Sequence, residues 1–229
     1  MSYKVPVGIS NKHVHLSEQA LATLFGKGYA LTPYKALVQP GQYAAHEQVD
    51  IIGPKGSFKN VRIIGPIRPQ TQVEVSMTDA RALGIEPPVR ESGKLQDSPG
   101  IRLVGPKGEV ELESGVIVAL RHIHLSPEQA KEAGLQDKDL VDVRIHGKRP
   151  LIFEDVLIRS GEGHFRELHI DTDEANAAGA ANGDEAEILY PGQRLLRRGA
   201  GLGLAACGIP NQTHSTSASC APCELAASE

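Results

Sequence analysis

Short apolar runs separated by glycine and proline make up most of the chain before Tyr190. Segments of four to six residues rich in Val, Ile and Leu recur at 4–9, 48–52, 61–64, 71–75, 101–104, 115–120, 140–145, 153–158 and 185–189. Strands this short, with turn residues between them, favour barrels or sandwiches over a doubly wound sheet. The pattern therefore predicts a mainly β fold.

Helices are predicted to be few and short. Ser-Pro-Glu-Gln at 126–129 places a capping serine, a first-turn proline and a glutamine before a run that ends at Gly134. These residue types are typical of a helix start and stop. Comparable segments span 78–84 and 172–179, so we expect short helices that cap the β units.

One short phrase occurs twice, as His-Val-His-Leu-Ser at 13–17 and as His-Ile-His-Leu-Ser at 122–126. An extended strand alternates its side chains between faces, so two histidines that are two residues apart point the same way. Each phrase therefore offers two imidazoles that converge on one point, which is the arrangement that a metal ion requires.

A second repeat indicates internal duplication. Gly-Pro-Lys-Gly follows an apolar run at 53–56 and again at 105–108. The spacing of a phosphate-binding Walker loop is absent, so hairpin turns are the better interpretation. The two repeats together predict two similar β-rich units, with a capped helix after each histidine pair.

Composition and charge exclude several classes of function. The formal net charge is −4, aromatic residues make up 4% of the chain, and there is no Trp, so nothing indicates a nucleic-acid partner. No apolar run approaches the roughly 18 residues of a membrane span, and the N-terminus lacks a signal-peptide core. The three cysteines, Cys207, Cys220 and Cys223, all come late. We expect a reduced, intracellular protein, located in the cytoplasm, with no membrane partner.

Residues 191–229 differ from the rest because they are rich in Gly, Ala and Ser and show little periodicity. We expect a flexible C-terminal tail or a docking peptide. The tail also holds Cys220, Cys223 and His214, but a single CxxC without a second pair is a weak metal motif.

Each histidine pair leaves a tetrahedral zinc two ligands short. His169 is a candidate because it lies where a strand end runs into a helix cap, with Asp171 at the position of a second histidine. Glu74, inside an alternating apolar run, is a candidate oxygen ligand, although a solvated strand face would give the same pattern. The lone histidines His46, His146 and His164 are expected on exposed loops.

Arg68 is a candidate anion-binding residue. It lies between two prolines, just before the strand that carries Glu74. Arginine is suited to a two-point grip on phosphate or carboxylate, although a surface turn residue is the alternative. Arg121, next to the second histidine pair, is the other cation predicted near the site.

The motifs SNKHVHLS, GPIRPQTQVEVS, LRHIHLS and ELHID occur in this order, and with them the chain resembles the PduL-type phosphate acyltransferases, or phosphate propanoyltransferases, over about residues 4–190. The resemblance implies two β-barrel domains with short capping helices and an active site between them. Residues 1–12 plus 119–190 would form the first barrel. Residues 13–118, with a connecting helix, would form the second.

The resemblance also implies two zinc ions per chain. One would be held by His13, His15 and Glu74, with the sulfur of coenzyme A able to complete the shell. The other would be held by His122, His124 and His169, with water or phosphate. Arg68 would be the catalytic residue that contacts phosphate.

The reaction implied by the resemblance converts acyl-CoA and phosphate into acyl phosphate and coenzyme A, reversibly, with acetyl-CoA or propanoyl-CoA as substrate. Relatives associate, so a homodimer is expected. Association with a microcompartment is less expected, because the chain begins without the N-terminal extension that directs many members there. Two alternatives stay open: a dinuclear zinc hydrolase of a thioester or phosphate, and a β protein that binds zinc structurally.

Overall fold

A computed structural model describes residues 3–190 as a closed six-stranded barrel, a curled half-barrel sheet and short helices. The mainly β fold predicted from the short apolar runs is confirmed. None of the helices in the described part of the chain is long and apolar enough to span a bilayer. The predicted tail at 191–229, with its three cysteines, lies outside the described residues.

The strands and helices follow one another in short alternation. The strands are β1 (Tyr3–Ser10), β2 (His13–His15), β3 (Pro33–Ala36), β4 (Tyr43–Ile52), β5 (Ser57–Gly65), β6 (Gln72–Glu74), β7 (Val89–Arg90), β8 (Ile101–Val104), β9 (Glu109–Leu112), β10 (Val116–Ala119), β11 (His122–Leu125), β12 (Leu140–Ile145), β13 (Leu151–Ser160), β14 (Glu167–Asp171) and β15 (Glu185–Leu189). The helices are α1 (Glu18–Phe25), α2 (Met77–Leu83), α3 (Pro127–Ala133) and α4 (Thr172–Ala178).

The barrel closes in the order β1-β14-β11-β13-β12-β15. The second sheet runs in the order β7-β10-β6-β2-β5-β4-β8-β9, with β3 paired to β4. The two units have separate apolar cores: Ile51, Ile63 and Leu103 lie in one, and Ile123 and Ile158 lie in the other. These separate cores support our proposal that residues 1–12 plus 119–190 and residues 13–118 are the two domains.

Within the two units, four neighbouring strands are arranged in the same way. β2 pairs in parallel with β5 and antiparallel with β6, and β6 pairs in parallel with β10. In the barrel, β11 pairs in parallel with β13 and antiparallel with β14, and β14 pairs in parallel with β1. The chain crosses between the units twice, between Ser10 and His13 and between Ala119 and His122. The internal duplication predicted from the repeated motifs is therefore present in the strand pairing.

Each helix follows a strand of these four-stranded groups and begins at a capping side chain. Ser17, Ser76, Ser126 and Asp171 each accept a hydrogen bond from the backbone N–H three residues later. The second helix was predicted to open at Thr78, but it begins at Met77 because Ser76 is its cap.

The two Gly-Pro-Lys-Gly segments are hairpin turns, as predicted. They connect β4 to β5 and β8 to β9 and have matching backbone hydrogen bonds. Each turn also lies against a helix C-terminus, since the Lys55 N–H donates to Leu83 O and the Lys107 N–H donates to Leu24 O, both at 3.0 Å. The turns thereby satisfy carbonyl groups that the last turn of a helix leaves unpaired.

Candidate active site and metal centres

The two histidine pairs lie on equivalent strands and face a neighbouring antiparallel strand. His13 on β2 is opposite Glu74 on β6, and His122 on β11 is opposite His169 on β14. Residues directly opposite each other in antiparallel strands project from the same face of the sheet. The pairing therefore adds a third ligand to each pair, and the ligand atoms of each group of three lie within 4.8 Å of one another.

The first cluster consists of His13, His15 and Glu74. The Nδ1–H groups of His13 and His15 donate to Asn11 O at 2.8 Å and to Ile64 O at 3.0 Å. The Nε2 lone pairs then face each other across 3.2 Å, and the Glu74 carboxylate lies 3.5 Å from Nε2 of His13. Lone pairs and a carboxylate aimed at one point require a cation between them.

The second cluster consists of His122, His124 and His169. His122 donates its Nδ1–H to Leu120 O at 2.7 Å, and its Nε2 lies 3.1 Å from Nε2 of His124. The rings of His122 and His124 lie edge to face with that of His169. The buried Nδ1 of His124 has no hydrogen-bond partner among the described residues. The first histidine of this pair is thus oriented by a backbone carbonyl, as in the first cluster.

Both clusters suit zinc. Zinc bonds of about 2.0–2.1 Å in a tetrahedral shell place neighbouring ligand atoms roughly 3.3 Å apart. The Nε2 atoms in the two pairs are 3.2 Å and 3.1 Å apart. Imidazole and carboxylate are ligands that zinc commonly takes. The residues present therefore fit two zinc ions per chain.

Burial keeps these histidines in the form that binds metal. Burial, reinforced by His13, lowers the pKa of His15 to about 3. Burial, reinforced by His169, lowers the pKa of His122 to about 3, and burial lowers the pKa of His124 as well. These imidazoles are neutral at neutral pH, and neutral imidazole is the metal-binding form.

Glu74 is ionised although it is buried. Burial alone would raise the pKa of this carboxyl, but His13, His15, a Ser92 hydrogen bond and Arg68 outweigh that effect and lower it to about 2. The carboxylate accepts from Gln72 Nε2 at 2.5 Å and from Ser92 Oγ at 3.0 Å. Glu74 is therefore an anion held in place beside the histidine pair, and not part of a solvated strand face.

Arg68 lies beside the first cluster. Its Nη1 donates to Ser92 Oγ at 3.0 Å, and the same hydroxyl donates to Glu74. Ser92 lies outside the sequence motifs, because the segment between α2 and β8 has no regular pattern that relates it to β6. Ser92 connects the predicted anion-binding residue to the predicted metal ligand.

Arg159 is a second arginine at the site, and it was not predicted from the sequence motifs. It is paired with His124 across β11 and β13. Burial, reinforced by Arg159, lowers the pKa of Arg68, and the charge of Arg159 also contributes to the lowered pKa values of His122 and His124. A cation at the end of an apolar strand was the available signal. Together with Arg68 it makes this side of the site cationic.

Arg121 is not a free cation at the site. It forms an ion pair with Glu174 on α4 at 3.3 Å, just as Lys12 forms one with Asp79 on α2 at 3.1 Å. Each residue directly precedes a histidine pair and contacts the helix after the neighbouring strand. Their equivalent positions indicate that these ion pairs fix the strand starts.

The position predicted for Asp171 was wrong. Asp171 does not take the place of a second histidine, because it is the N-cap of α4 and accepts from Glu174 N–H at 2.8 Å. Counting back from the cap, His169 corresponds to His15, and Glu167 corresponds to His13. The same spacing is present in Gln-Val-Glu-Val-Ser at 72–76, so the sequence contained this signal.

His164 was expected on an exposed loop, but it is half-buried and its ring packs against that of His124 at 4.4 Å. His146 lies on an exposed loop, as expected, whereas His46 is exposed but lies in β4 and not on a loop. His46 packs on the ring of Tyr34, and His146 pairs with Glu187. Neither belongs to a metal-ligand cluster in the part of the chain that the structure describes.

A small cavity of about 30 Å³ lies between the two clusters. It is bounded by Glu74 of the first cluster and by His122 and His169 of the second, and residues of both chain crossings line it. This space is large enough to hold a water molecule. The two predicted ligand groups therefore meet at one place between the units.

The fold and the site define a mainly β protein with two groups of metal ligands that meet at one cavity, and with one arginine beside each group. A family model described as phosphate propanoyltransferase matches residues 6–181, which include all seven predicted site residues. The chain belongs to this family, and the prediction of an acyltransferase is confirmed.

Curated relatives have the same description. The phosphate propanoyltransferase of Thermotoga maritima is 58% identical over 184 residues, covering 80% of this chain and 88% of the relative. That of Salmonella typhimurium is 55% identical over 179 residues, covering 78% of this chain and 85% of the relative. That of Rhodobacter capsulatus is 53% identical over 178 residues, covering 78% of this chain and 83% of the relative.

Proposed function

We propose that this protein is a zinc-dependent phosphate acyltransferase that interconverts a short-chain acyl-CoA and phosphate with an acyl phosphate and coenzyme A. The observation that carries the proposal is the meeting of two zinc-compatible clusters at one cavity, with Arg68 beside the first cluster and Arg159 beside the second. His13, His15 and Glu74 would hold one zinc, and His122, His124 and His169 would hold the other.

Arg68 and Arg159 would bind the phosphate. The charge of Arg159 contributes to the lowered pKa of Arg68, and an anion placed between the two guanidinium groups would offset their repulsion. Neither Arg159 nor Arg68 is neutralised by an ion pair of its own in residues 3–190. Holding phosphate at this point would also reduce its repulsion from the anionic coenzyme.

Bound zinc would supply Lewis-acid chemistry, stabilising the departing thiolate and the negative charge on the carbonyl oxygen. The protein's own residues would hold the metal ligands in fixed orientations. Gln72 and Ser92 hold the Glu74 carboxylate, while the carbonyls of Asn11 and Leu120 orient His13 and His122. A preorganised site of this kind requires little rearrangement when the thioester is attacked.

The attacking group would be phosphate itself. A phosphate oxygen forms a bond to the thioester carbonyl carbon, the carbon–sulfur bond breaks, and the coenzyme leaves as a thiolate. All three cysteines lie after residue 190. The reaction balances without a covalent acyl-enzyme, since phosphate and thioester are the only reactants.

Propanoyl-CoA is the proposed main substrate, because the relatives are described as phosphate propanoyltransferases. Acetyl-CoA is proposed as a second substrate, since one methylene in an apolar pocket changes specificity by only about 1–3 kcal/mol. The homodimer and the cytoplasmic location stay predictions.

Thiol release from propanoyl-CoA and acetyl-CoA tests the proposal. The assay is run with and without phosphate, and before and after chelation with zinc added back. We expect release that requires both phosphate and zinc. Release without phosphate would indicate a zinc hydrolase, and zinc binding without any release would indicate a structural metal protein.

A further inference from the structure

In each metal cluster, two paired strands bring four side chains together, and three of these are the predicted ligands. We call the fourth the corner residue. Gln72 lies opposite His15 across β2 and β6, and Glu167 lies opposite His124 across β11 and β14. Both residues are two positions before a ligand on the same strand, Glu74 and His169 respectively. Side chains two apart on a strand share a face, so each corner residue lies beside that ligand.

In the first cluster, the corner residue supports its neighbouring ligand. The Gln72 amide donates to Glu74 Oε1 and to Ser92 Oγ, and its own oxygen accepts from Gly93 N–H at 2.8 Å. Gln72 is 1% exposed. An amide donor held in this way fixes the direction of a carboxylate ligand.

In the second cluster, Oε2 of Glu167 lies 2.6 Å from Nε2 of His169. The carboxylate can only accept, so Nε2–H of His169 is the donor. Gly8 on the adjacent strand leaves room for this carboxylate, because a Cβ at Gly8 would lie 2.6 Å from Glu167 Oε1. The space for Glu167 is therefore part of the fold.

We propose that Glu167 is a positioning residue for the second metal, holding His169 in the tautomer that carries its proton on Nε2 and leaves Nδ1 for the metal. This inference rests on the proposed function, in which the second cluster binds zinc. The two corners are then complementary: an amide donor supports a carboxylate ligand, and a carboxylate acceptor supports a histidine ligand.

A carboxylate behind a metal-bound histidine fixes its tautomer and ring orientation and raises its basicity. His122 and His13 obtain the same support from backbone carbonyls at their Nδ1 atoms. His169 has no backbone carbonyl in that role among the described contacts, and the Glu167 carboxylate is the acceptor that its ring contacts instead.

Glu167 is itself held by the other unit. Gln39, between β3 and β4, donates its amide to Phe165 O at 2.9 Å and to Glu167 Oε2 at 3.2 Å, and its own oxygen accepts from Phe165 N–H at 3.1 Å. Gln39 is 3% exposed. The support behind His169 therefore extends from the barrel into the half-barrel sheet.

Zinc competition with a chromophoric chelator tests the inference. Full-length chains carrying His15→Ala are used, so that only the second cluster keeps all its ligands. In this background Glu167→Ala should weaken zinc binding by about 10- to 100-fold. Glu162→Ala, which removes an exposed carboxylate from the preceding loop, is the matched control and should leave binding unchanged.

Histidine ¹⁵N NMR of the zinc-loaded protein gives the second measurement. We expect the His169 ring to show a proton on Nε2 and zinc on Nδ1, and Glu167→Ala to alter that pattern. Zinc on Nε2 of His169, or unchanged affinity in Glu167→Ala, would overturn the inference. If wild-type protein binds no zinc at the second cluster, the proposed function fails instead.

Discussion

At the scale of single residues, the buried environment determines the protonation state of the predicted metal ligands. His15 and His122 are neutral because ionisation in a buried position is costly, whereas Glu74 is an anion because donors and cations surround it. The same buried face thus favours a neutral base at one position and a negative charge at the next. This combination suits a divalent cation.

Replacing His124 by alanine should remove the second zinc and leave the fold intact. The side chain lies on the outer face of the barrel, so its loss leaves the barrel core unchanged. We expect turnover to fall by more than about 100-fold, since weaker changes around a metal already cost 10- to 100-fold. Zinc content and circular dichroism are the measurements, and a folded variant with two zinc ions would contradict the assignment.

Arg68→Ala and Arg159→Ala should each raise the KM for phosphate by about 10- to 100-fold, because each removes a charge-assisted hydrogen bond. Initial rates measured over a range of phosphate concentrations test this. Arg81→Ala, an exposed arginine on α2, is the control. An unchanged KM in either variant would remove that arginine from the phosphate site.

At the scale of elements, the sequence predicts best where a local rule decides the outcome. The capping serine and Gly134 define α3, and strand alternation brings His122 and His124 to one face. β3 and β9 could not be predicted, because β3 is exposed along its length and β9 alternates weakly. Such strands form because a neighbouring strand provides backbone hydrogen bonds, and the local sequence does not show which strand that will be.

Gly105→Ala should destabilise the protein by about 1–3 kcal/mol, because a Cβ there would lie 2.7 Å from Leu24 O and force the hairpin from the helix end. Urea unfolding measures the change. Gly161→Ala is the matched control, since its Cβ would meet only the His164 ring at 3.7 Å, and it should be neutral or slightly stabilising. Equal effects in the two variants would rule out the steric explanation.

At the scale of the whole molecule, the ligand sets depend on strand pairing between distant segments. Alternation alone predicts the histidine pairs, but only register places Glu74 opposite His13 and His169 opposite His122. Arg159 and Glu167 were missed for the same reason. The family resemblance assigned the ligands to two sets, which the pattern of a single sequence cannot do. It did not identify the residues that hold those ligands in place.

Glu91 joins the two units through ion pairs of 2.6 Å with Lys138 of the barrel and with Lys94 beside it. Lys138 and then Lys94 lower the pKa of Glu91 to about 2 from an ordinary value of 4.5. A carboxyl whose pKa is lower in the folded state stabilises the fold above pH 4.5 and loses this contribution as pH falls towards 2.

Glu91→Gln should therefore lower the free energy of unfolding at pH 7 by about 1 kcal/mol or less, since both lysines are mostly exposed. The difference from wild type should shrink as pH falls below 4.5. Urea unfolding across this range is the measurement, with the exposed Glu86→Gln as control. A pH-independent difference would show that the ion pairs do not cause it.

The two chain crossings have a mechanical consequence. Asn11 and Leu120 connect one unit to the other, and their carbonyls also orient His13 and His122. A hinge at these segments would turn the carbonyls and release the imidazoles they hold. We therefore expect the connection between the two units to keep its conformation during turnover, so that substrates enter through movement of surrounding loops.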